Sequence, residues 1–261
     1  MNKIIFLGTG CAINLQRHLT SLLLVSKNRN VLLDCGDGMG TIRNIHKAGI
    51  RPESIKDVVL THHHADHIIG ITHFLLLWLI KNKNKKIRIF GSRKTLKVAK
   101  DISFTTHDYT RQNSHRIAFV PIKPWEELRL SPGLFIQPAV VKGASKSSPL
   151  CYAYKIKLGK NSIVFSADMQ PNKNFEKLAS GASIVIHETS GLDRDKDFIN
   201  INGHSTARDA GTLASRSKAK KLVLIHLPEF GAIKESDFIN EAKMYFGGEV
   251  ILAEDMMELI L

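Results

Sequence analysis

The chain has 261 residues, enough to bury a sizeable core, and its 43% hydrophobic and 23% charged residues are typical of a folded globular protein rather than a disordered one. A formal net charge of +13 favours anionic substrates, although the lysines are scattered without interleaved aromatic residues and so do not by themselves indicate nucleic-acid binding. Three widely spaced cysteines, Cys11, Cys35 and Cys151, argue against a disulfide framework or a thiolate zinc site, and we expect a cytoplasmic protein.

The first half of the chain is predicted to hold four strands and two helices. Val, Ile and Leu dominate the strand segments, and Gly, Asn or Pro separates them. The predicted helices are Met39–Ala48 and Ala65–Lys81. The apolar stretch Phe74–Ile80 is far shorter than the ~20 residues that span a bilayer, and Ile4–Leu7 is too short for a signal peptide, so we expect no membrane partner. The predicted strands are Lys3–Gly8, Leu22–Ser26, Asn30–Asp34 and Asp57–Thr61.

The second half is predicted to begin with strands and to close with alternating helices and strands. The strands are Ile87–Phe90, Ile117–Pro121, Leu134–Val141, Tyr152–Leu158 and Ser162–Ser166. The closing pairs are Phe175–Ala179 with Ala182–His187, Thr206–Ser217 with Lys221–Leu227, and Glu235–Phe246 with Val250–Ala253. Because no long linker, repeat or low-complexity tract interrupts the chain, we expect one α/β domain over residues 1–261, with two packed sheets flanked by helices.

A histidine-rich segment, His62-His63-His64-Ala65-Asp66-His67, follows one of these strands directly. Side chains two positions apart in an extended segment face the same way, so His62 and His64 can converge on one metal ion while His63 points elsewhere. Asp66 and His67 follow where a helix begins, and they can present a second pair of ligands to an adjacent ion. Imidazole nitrogen and carboxylate oxygen atoms suit Zn²⁺, Mn²⁺ or Fe²⁺. The internal position after a buried strand argues against a surface histidine run.

The spacing His-x-His-x-Asp-His resembles the signature of the metallo-β-lactamase superfamily. Further segments, in the same order, resemble the branch of ribonuclease Z, arylsulfatase-like enzymes and small phosphodiesterases. These segments are Leu7–Cys11, Leu33–Gly38, Leu60–His62, Ser166–Asp168, His187–Thr189, Gly203–Thr206 and Leu224–Leu227. The resemblance covers nearly the whole chain, and it implies an αββα metallo-β-lactamase sandwich with a metal centre and hydrolase activity.

The resemblance adds two metal ligands outside the histidine-rich segment. Asp168 resembles an aspartate that bridges two ions, and His226 resembles the last ligand of the branch. Both follow apolar strands, where a sheet presents polar groups beside loops. The implied ligands of one or two divalent transition-metal ions, Zn²⁺ first with Mn²⁺ or Fe²⁺ as alternatives, are His62, His64, Asp66, His67, Asp168 and His226.

Three further residues receive roles or exclusions from the resemblance. His204 is implied to donate a proton to the leaving group or to stabilise charge in the transition state. The alternative is that its loop only caps a helix through Ser205. Asp34 is implied to brace the metal-binding loop from outside the ligand set. The counterpart of His187 is usually structural, so we leave His187 and Glu188 out of the ligand set.

The sequence departs from the family pattern where a third histidine is expected on the first ion. No histidine occurs between His115 and His187, and Lys142 best takes the missing place, with Gln137 as a second candidate. A protonated lysine has no lone pair, so it would supply a fixed positive charge, whereas a desolvated lysine near cations would lose its proton and bind the ion. A surface position for Lys142 is the remaining alternative. We expect the more tightly bound ion among Asp66, His67, Asp168 and His226.

The same region limits the substrate. Only 25 residues separate Lys142 from Asp168, which leaves no room for the protruding arm that many ribonuclease Z enzymes use to grip tRNA. Processing of tRNA 3′ ends is therefore disfavoured. The segment Ser103–His115 is predicted to be a polar loop over the site.

The sequence thus predicts a hydrolase that uses a metal-activated water, since coordination lowers the pKa of water from about 15.7 toward ~7. Asp66 would orient or deprotonate that nucleophile. The favoured substrate is a phosphodiester: a cyclic nucleotide, a small phosphodiester or an RNA end. Because a fold does not fix a reaction, hydrolysis of a sulfate ester, lactone or thioester stays open, as does a degenerate, non-catalytic member that binds an anionic ligand or nucleic acid. A homodimer is expected only as the commonest assembly.

Overall fold

Two mixed sheets of seven strands each make up the β-structure of the described residues. The computed structural model of the chain describes residues 2–143, 150–229 and 233–261. The chain divides into two compact units, and each unit contains one of the sheets. In each sheet, three neighbouring strand pairs are antiparallel and three are parallel.

The strands and helices have the following bounds. In chain order the strands are β1 (Lys3–Gly8), β2 (Ser21–Val25), β3 (Asn30–Leu33), β4 (Asp57–Val59), β5 (Ile87–Gly91), β6 (Ile117–Pro121), β7 (Leu128–Ser131), β8 (Leu134–Lys142), β9 (Leu150–Leu158), β10 (Asn161–Phe165), β11 (Ile184–Glu188), β12 (Lys221–Ile225), β13 (Glu249–Leu252) and β14 (Glu258–Ile260). The α-helices are α1 (Met39–Lys47), α2 (Ala65–Ile68), α3 (Ile71–Lys81), α4 (Arg93–Thr106), α5 (Asp108–Gln112), α6 (Lys173–Ala179), α7 (Lys196–Ile201), α8 (Ala207–Arg216) and α9 (Glu235–Tyr245). Short 3₁₀ turns lie at Pro52–Ser54, Ser114–Arg116 and Asp193–Asp195.

Unit 1 contains the sheet with strand order β14-β1-β2-β3-β4-β5-β6. The strands β3, β4 and β5 are parallel neighbours, so their carboxyl ends lie at the same edge of the sheet. Alternate strand residues such as Leu32, Val58 and Ile89 share a buried cluster with Ile45 of α1 and Phe74 of α3. The stretches that form unit 1 are the residues up to Ala12, Arg17–Lys123 and Glu254–Leu261.

Unit 2 contains the sheet with strand order β13-β12-β11-β10-β9-β8-β7. The strands β10, β11 and β12 are parallel neighbours, which places their carboxyl ends at one edge. Val164, Val185 and Leu222 of these strands share a buried cluster with Phe175 of α6 and Ala210 of α8. The stretches that form unit 2 are Ile13–Gln16 and Pro124–Ala253.

The predicted strands are present with ends shifted by two residues or fewer, but the predicted helix Ala65–Lys81 is broken. The break falls between α2 and α3 at Gly70. A methyl group on Gly70 would lie 2.0 Å from the carbonyl oxygen of Cys35, and the Gly70 N–H donates to the Gly36 carbonyl at 3.2 Å. The helix is interrupted because its backbone packs directly on the loop that follows β3.

The segment Ser103–His115, predicted to be a loop, is mostly helical and belongs to α4, α5 and a 3₁₀ turn. The side chain of Ser92 caps α4 by accepting from the Thr95 N–H at 3.1 Å. The buried face of α4 is made of Thr95, Leu96, Ala99 and Ser103. Helical spacing is present, but small and polar residues supply most of that face, so the apolar pattern of an amphipathic helix is weak.

Among the described residues, no helix is both long and apolar enough to cross a membrane. The three cysteines are buried and form no disulfide in the part of the chain that the structure describes. The single domain over residues 1–261 stays a prediction.

Candidate functional site

The histidine-rich segment of unit 1 lies where the chain leaves the carboxyl end of β4. His62 and His67 are fully buried, and Asp66 is 6% exposed. The ring centroids of His62 and His64 lie 4.5 Å apart, and those of His62 and His67 lie 4.3 Å apart. The Asp66 Oδ2 atom lies 3.5 Å from His67 Nε2. The structure therefore brings together the four ligands that were predicted in this segment.

A buried carboxylate, Asp34, holds this segment in place. It follows β3 and accepts the Thr61 backbone N–H at 2.9 Å and the Thr61 hydroxyl at 2.7 Å. It also lies 2.8 Å from His67 Nδ1. The Thr61 hydroxyl oxygen is in turn 3.0 Å from His62 Nδ1. Asp34 thus contacts one predicted ligand directly and a second one through Thr61, a residue whose role the sequence did not reveal.

These contacts assign the tautomers of the two buried histidines. The single proton of the Thr61 hydroxyl is donated to the Asp34 carboxylate, so the hydroxyl oxygen accepts from His62 Nδ1. His67 Nδ1 also donates, because the Asp34 carboxylate only accepts. Both rings then carry the lone pair on Nε2, the arrangement that histidine ligands of metals adopt when an oxygen holds the other nitrogen. Together with the Asp66 carboxylate, this donor set fits a divalent transition metal.

In unit 2 the predicted polar residues follow adjacent parallel strands. Asp168 comes shortly after β10, Glu188 ends β11 and His226 follows β12. Asp168 and His226 are 2% and 3% exposed, and Asp168 Oδ1 lies 3.4 Å from His226 Nε2. The fold of this unit therefore places the two predicted ligands side by side, again as an imidazole with a carboxylate.

The predicted acid, His204, lies beside His226. The two rings are stacked, with centroids 5.5 Å apart and an angle of 20° between the planes. The His204 side chain is 22% exposed, and its backbone N–H donates to the Ile199 carbonyl at 3.1 Å. The cap of α8 is Thr206 rather than Ser205, whose hydroxyl instead donates to the Met169 carbonyl at 2.6 Å. The alternative of a cap formed by Ser205 is therefore wrong.

Glu188, which the sequence left without a role, organises the polar residues of unit 2. Its Oε1 accepts the backbone N–H groups of Met169 at 3.1 Å and Ser205 at 3.0 Å, and lies 3.3 Å from His204 Nδ1. Its Oε2 accepts the Ser190 hydroxyl at 2.9 Å. Glu188, His204 and His226 each place a donor atom within 4.8 Å of the other two. In the sequence, the signal for Glu188 was the resemblance of the segment His187–Thr189 to a segment of the family.

His187 has a different environment from the other buried histidines. Its Nδ1 donates to the Glu188 backbone carbonyl at 2.6 Å, and its ring meets the edge of Phe175 at 5.4 Å between centroids. Burial lowers the pKa of His187 below its usual value, although the hydrogen bond to Glu188 opposes that effect. These contacts describe a neutral histidine inside the core of unit 2.

Three residues next to or within the predicted site have left-handed backbone angles, which are uncommon without glycine. The φ angles are 56° at Asp34, 58° at Ala167 and 62° at His226. Each follows a strand end, where the chain turns sharply into a loop. Such conformations persist where the surrounding structure over-determines them, and they cluster at functional sites. The residue type makes such an angle unexpected only at Ala167, since Asp and His adopt left-handed angles more often than most other residues that are not glycine.

The two candidates for the missing histidine differ in their contacts. Lys142 is the last residue of β8 and is exposed, and its carbonyl accepts the Gln170 N–H at 3.0 Å. The backbone of Lys142 therefore lies beside the loop that carries Asp168. The Gln137 side chain instead donates to the Trp125 carbonyl at 3.0 Å.

Comparison with known proteins gives one matching family and a set of related hydrolases. The family model described as "Anti-Pycsar protein Apyc1" matches residues 2–245. Ribonuclease Z of Archaeoglobus fulgidus is 27% identical over 301 aligned positions, which cover 98% of this chain and 97% of that protein. Ribonuclease Z of Haloarcula marismortui is 26% identical over 301 positions, with 98% and 96% covered. The relatives confirm the predicted branch.

Solved structures with the same fold cover almost the whole chain. The metallo-β-lactamase fold protein YhfI from Bacillus subtilis has a TM-score of 0.83 at 23% identity and covers 99% of this chain and 98% of its own. Yeast PDE1 has a TM-score of 0.80 at 14% identity, with 100% and 99% covered. The short form of human tRNase Z has a TM-score of 0.77 at 22% identity, with 99% and 98% covered. These likenesses confirm the predicted metallo-β-lactamase fold.

Proposed function

The chain belongs to the family of the anti-Pycsar protein Apyc1 and is a metal-dependent hydrolase of the phosphodiesterase type, and we propose that its substrate is a small anionic phosphodiester such as a cyclic nucleotide. The observation that carries the reaction type is the pair of buried histidines, His62 and His67, which Asp34 and Thr61 hold with Nε2 available as a ligand atom. Such bracing is typical of metal-binding histidines.

The proposed ligands of one or two divalent ions are His62, His64, Asp66 and His67 of unit 1 and Asp168 and His226 of unit 2. Support comes from the family pattern and from the donor chemistry within each unit, where imidazole nitrogen and carboxylate oxygen atoms are buried side by side. We propose Zn²⁺ as the ion, with Mn²⁺ or Fe²⁺ as alternatives, because all three accept this mixture of ligands.

The protein residues have separate tasks in the proposed reaction. When bound, the ions would supply an activated water and polarise the phosphoryl group. Asp66 would orient the nucleophile or accept its proton. His204, which is partly exposed, would protonate the leaving oxygen from Nε2 when its ring is doubly protonated, and the Glu188 carboxylate 3.3 Å from Nδ1 would stabilise that imidazolium. Lys142 would contribute a positive charge for the anionic substrate, because its side chain is exposed.

Chain length favours a small substrate over tRNA. The alignments with the ribonuclease Z relatives occupy 301 positions, whereas this chain has 261 residues, so the relatives contain segments without a counterpart here. This supports the absence of a substrate-gripping arm. A second candidate function, cleavage at an RNA end, is favoured by the names of those relatives, which the chain matches over 98% of its length. A net charge of +13 suits either anion.

The test is an activity panel with the metal-loaded chain. The substrates are a cyclic nucleotide, bis(p-nitrophenyl) phosphate, an RNA with a 3′ extension, an aryl sulfate, a lactone and a thioester. Turnover of the first two above RNA would support the proposal, and turnover of RNA alone would support the second candidate. Cleavage of only the sulfate, lactone or thioester would contradict both. Binding of anions without turnover would indicate the non-catalytic alternative.

The metal content of the chain tests whether Lys142, in place of the third histidine, weakens the first metal site. Mass spectrometry of the dialysed chain is expected to give about one tightly bound ion per chain, because the first ion lacks its third histidine. Two fully occupied ions would mean that the missing histidine does not weaken the first site. No bound ion would remove the premise of metal-dependent hydrolysis.

We also propose a homodimer, since two-fold dimers are the commonest assembly of soluble proteins. Light scattering during size-exclusion chromatography would then give about twice the chain mass of 29.1 kDa. A mass equal to that of one chain would contradict it.

A further inference from the structure

A cavity of about 530 Å³ lies on unit 1 where helices α1 and α3 end. Its apolar lining comes from Ile42 of α1, Leu77 of α3 and Pro52, which lies in the 3₁₀ turn between β3 and β4. Ile42 and Pro52 are buried. The volume falls within the range of about 300–1,000 Å³ that is usual for small-molecule sites.

Positive side chains dominate the rim of this cavity. The basic residues that line it are Arg43, His46, Lys47, Arg51 and Lys81, all of them exposed. Glu53 is the one acidic residue among the described lining residues, and its carboxylate lies 3.7 Å from the Arg51 guanidinium. The rim therefore keeps an excess of positive charge, and a bound anion would relieve the repulsion among these side chains.

The ends of the two helices do not require these cations as caps. At the end of α1, backbone N–H groups of Ala48, Gly49 and Ile50 donate to the last helical carbonyls. At the end of α3, the Trp78 carbonyl accepts the Asn82 backbone N–H at 3.0 Å and the Asn82 side-chain amide at 3.2 Å, and the Leu79 carbonyl accepts from the Arg116 guanidinium at 3.2 Å. Helix C-termini commonly recruit basic side chains to satisfy carbonyls, but these carbonyls are satisfied by groups that do not line the cavity.

The cavity is preformed. The Trp78 indole N–H donates to the Ile55 carbonyl at 2.6 Å, and the Asn82 side chain donates to the Glu53 carbonyl at 2.8 Å. Both donors belong to buried residues at the end of α3, and both acceptors belong to the wall that contains Pro52. Because this wall is already fixed to α3, a ligand would not have to order it on binding.

The cavity is separate from the histidine-rich segment of the same unit. That segment is adjacent to the beginnings of α1 and α3, where a methyl group on Gly38 would lie 3.4 Å from Gly70 Cα. None of the residues His62–His67 lines the cavity, whose lining begins at Ile42 in α1 and at Leu77 in α3. At 1.5 Å per residue, these two residues lie about 5 Å and about 9 Å along the helix axes from the helix starts.

We propose that this cavity is a second, non-catalytic binding site for a small phosphate ester of nucleotide size. The phosphate would contact Arg43, Lys47 and Lys81, and the apolar lining would receive the base or sugar. A nucleoside monophosphate fits better than a nucleic-acid strand, because no Phe, Tyr or Trp side chain among the described residues lines the cavity and strand-binding surfaces usually stack bases on such rings. The site does not depend on the reaction proposed above.

Isothermal titration calorimetry of the metal-loaded chain with AMP, and separately with inorganic phosphate, tests this proposal. The informative variant is Arg43→Glu/Lys47→Glu, and the matched control is Lys83→Glu/Lys85→Glu, which changes the net charge equally at exposed residues outside the cavity. We expect the first variant to weaken AMP binding at least tenfold and the control to change it less than twofold. Arg43→Gln/Lys47→Gln provides a milder variant if the charge reversal disturbs folding.

Three outcomes would overturn the proposal. If both charge-reversed variants lost affinity for AMP equally, the effect would be due to net charge alone. If all variants bound AMP with equal affinity, AMP would bind at the proposed metal ligands instead of the cavity. Binding of an RNA strand but not of AMP would replace the small ligand with a polymer. Unchanged KM for the phosphodiester in Arg43→Glu/Lys47→Glu, alongside lost AMP binding, would show that the two sites are independent and support the proposal.

Discussion

Each unit contains one buried carboxylate that contacts several polar groups, but the groups that it contacts differ between the units. In each unit, one buried carboxylate organises polar residues at the carboxyl ends of parallel strands. Asp34 in unit 1 contacts ring nitrogen of His67 and, through the Thr61 hydroxyl, of His62. Glu188 in unit 2 mainly accepts backbone N–H groups, those of Met169 and Ser205, and contacts a single ring nitrogen.

This difference separates two kinds of positioning. A carboxylate that holds Nδ1 of a buried histidine fixes the tautomer and the direction of Nε2, and so controls metal affinity. A carboxylate that holds loop N–H groups fixes where a loop lies, and here the loop carries His204, which is partly exposed. We therefore expect changes in unit 1 to act on metal content and changes around Glu188 to act on turnover.

The largest effect is expected for His67→Ala, because it removes a buried proposed ligand and leaves Asp34 without the Nδ1 donor. Metal content should fall, and phosphodiester hydrolysis should drop to the level of the chelator-treated chain. His63→Ala is the matched control from the same segment, and it should keep both. Metal analysis with activity assays checks this; if His67→Ala retained its ions, the proposed ligand set would be wrong.

For His204→Ala we expect kcat to fall by about 10²–10⁴, the usual contribution of a positioned acid or base, with metal content unchanged. The loss should be smaller for bis(p-nitrophenyl) phosphate than for a cyclic nucleotide, because p-nitrophenolate leaves without needing a proton. His115→Ala changes an exposed histidine and serves as the control. Equal loss of metal and turnover would refute the role of proton donor.

The paired variants Asp34→Asn and Glu188→Gln test whether one carboxylate acts on metal affinity and the other on turnover. In Asp34→Asn an amide group would face hydrogen-bond donors, so we expect metal affinity to fall by about 10–100-fold. In Glu188→Gln the loop N–H groups keep one carbonyl acceptor, and we expect kcat to fall roughly tenfold while metal affinity changes little. Competition with a chelator measures affinity in both proteins. The reverse pattern would show that the two carboxylates do not divide these tasks.

The sequence predicted the parts of the site that depend on order along the chain. His62, His64, Asp66 and His67 form a continuous segment, and Asp168 and His226 follow strands whose apolar pattern is strong. The spacing of the first four residues is a local property that a single sequence shows, whereas Asp168 and His226 were named as ligands through the resemblance to the family.

The parts that the sequence did not predict depend on tertiary contacts. Glu188 accepts hydrogen bonds from the N–H groups of residues 169 and 205, which are far from it in the chain. No local sequence pattern predicts these contacts. The break at Gly70 is likewise set by the loop carbonyl of Cys35 rather than by helix propensity alone. Helix α4 was missed because small and polar residues form most of its buried face.

The smallest effect concerns stability and distinguishes His187 from the histidines that are held by carboxylate or hydroxyl groups. Because burial lowers its pKa in the folded chain, His187 stays neutral there while the unfolded chain takes up a proton below its usual pKa of about 6.5. The contribution of His187 to the free energy of unfolding should therefore be fully present above that pH. It should decrease as the pH drops from 6.5 toward 5, by at most about 1.4 kcal/mol per pH unit.

Urea unfolding at pH 7.5, 6.5 and 5.5 measures this dependence, with His187→Asn as the variant, since asparagine retains a donor for the Glu188 carbonyl. The variant should be less stable at pH 7.5, because the ring packs against Phe175, but it should lose less stability on acidification than the native chain. Acid-induced loss of metal would affect both proteins and cancels in the comparison. Identical pH dependence in the two proteins would mean that the acid sensitivity of the fold arises elsewhere, and that His187 contributes packing alone to unit 2.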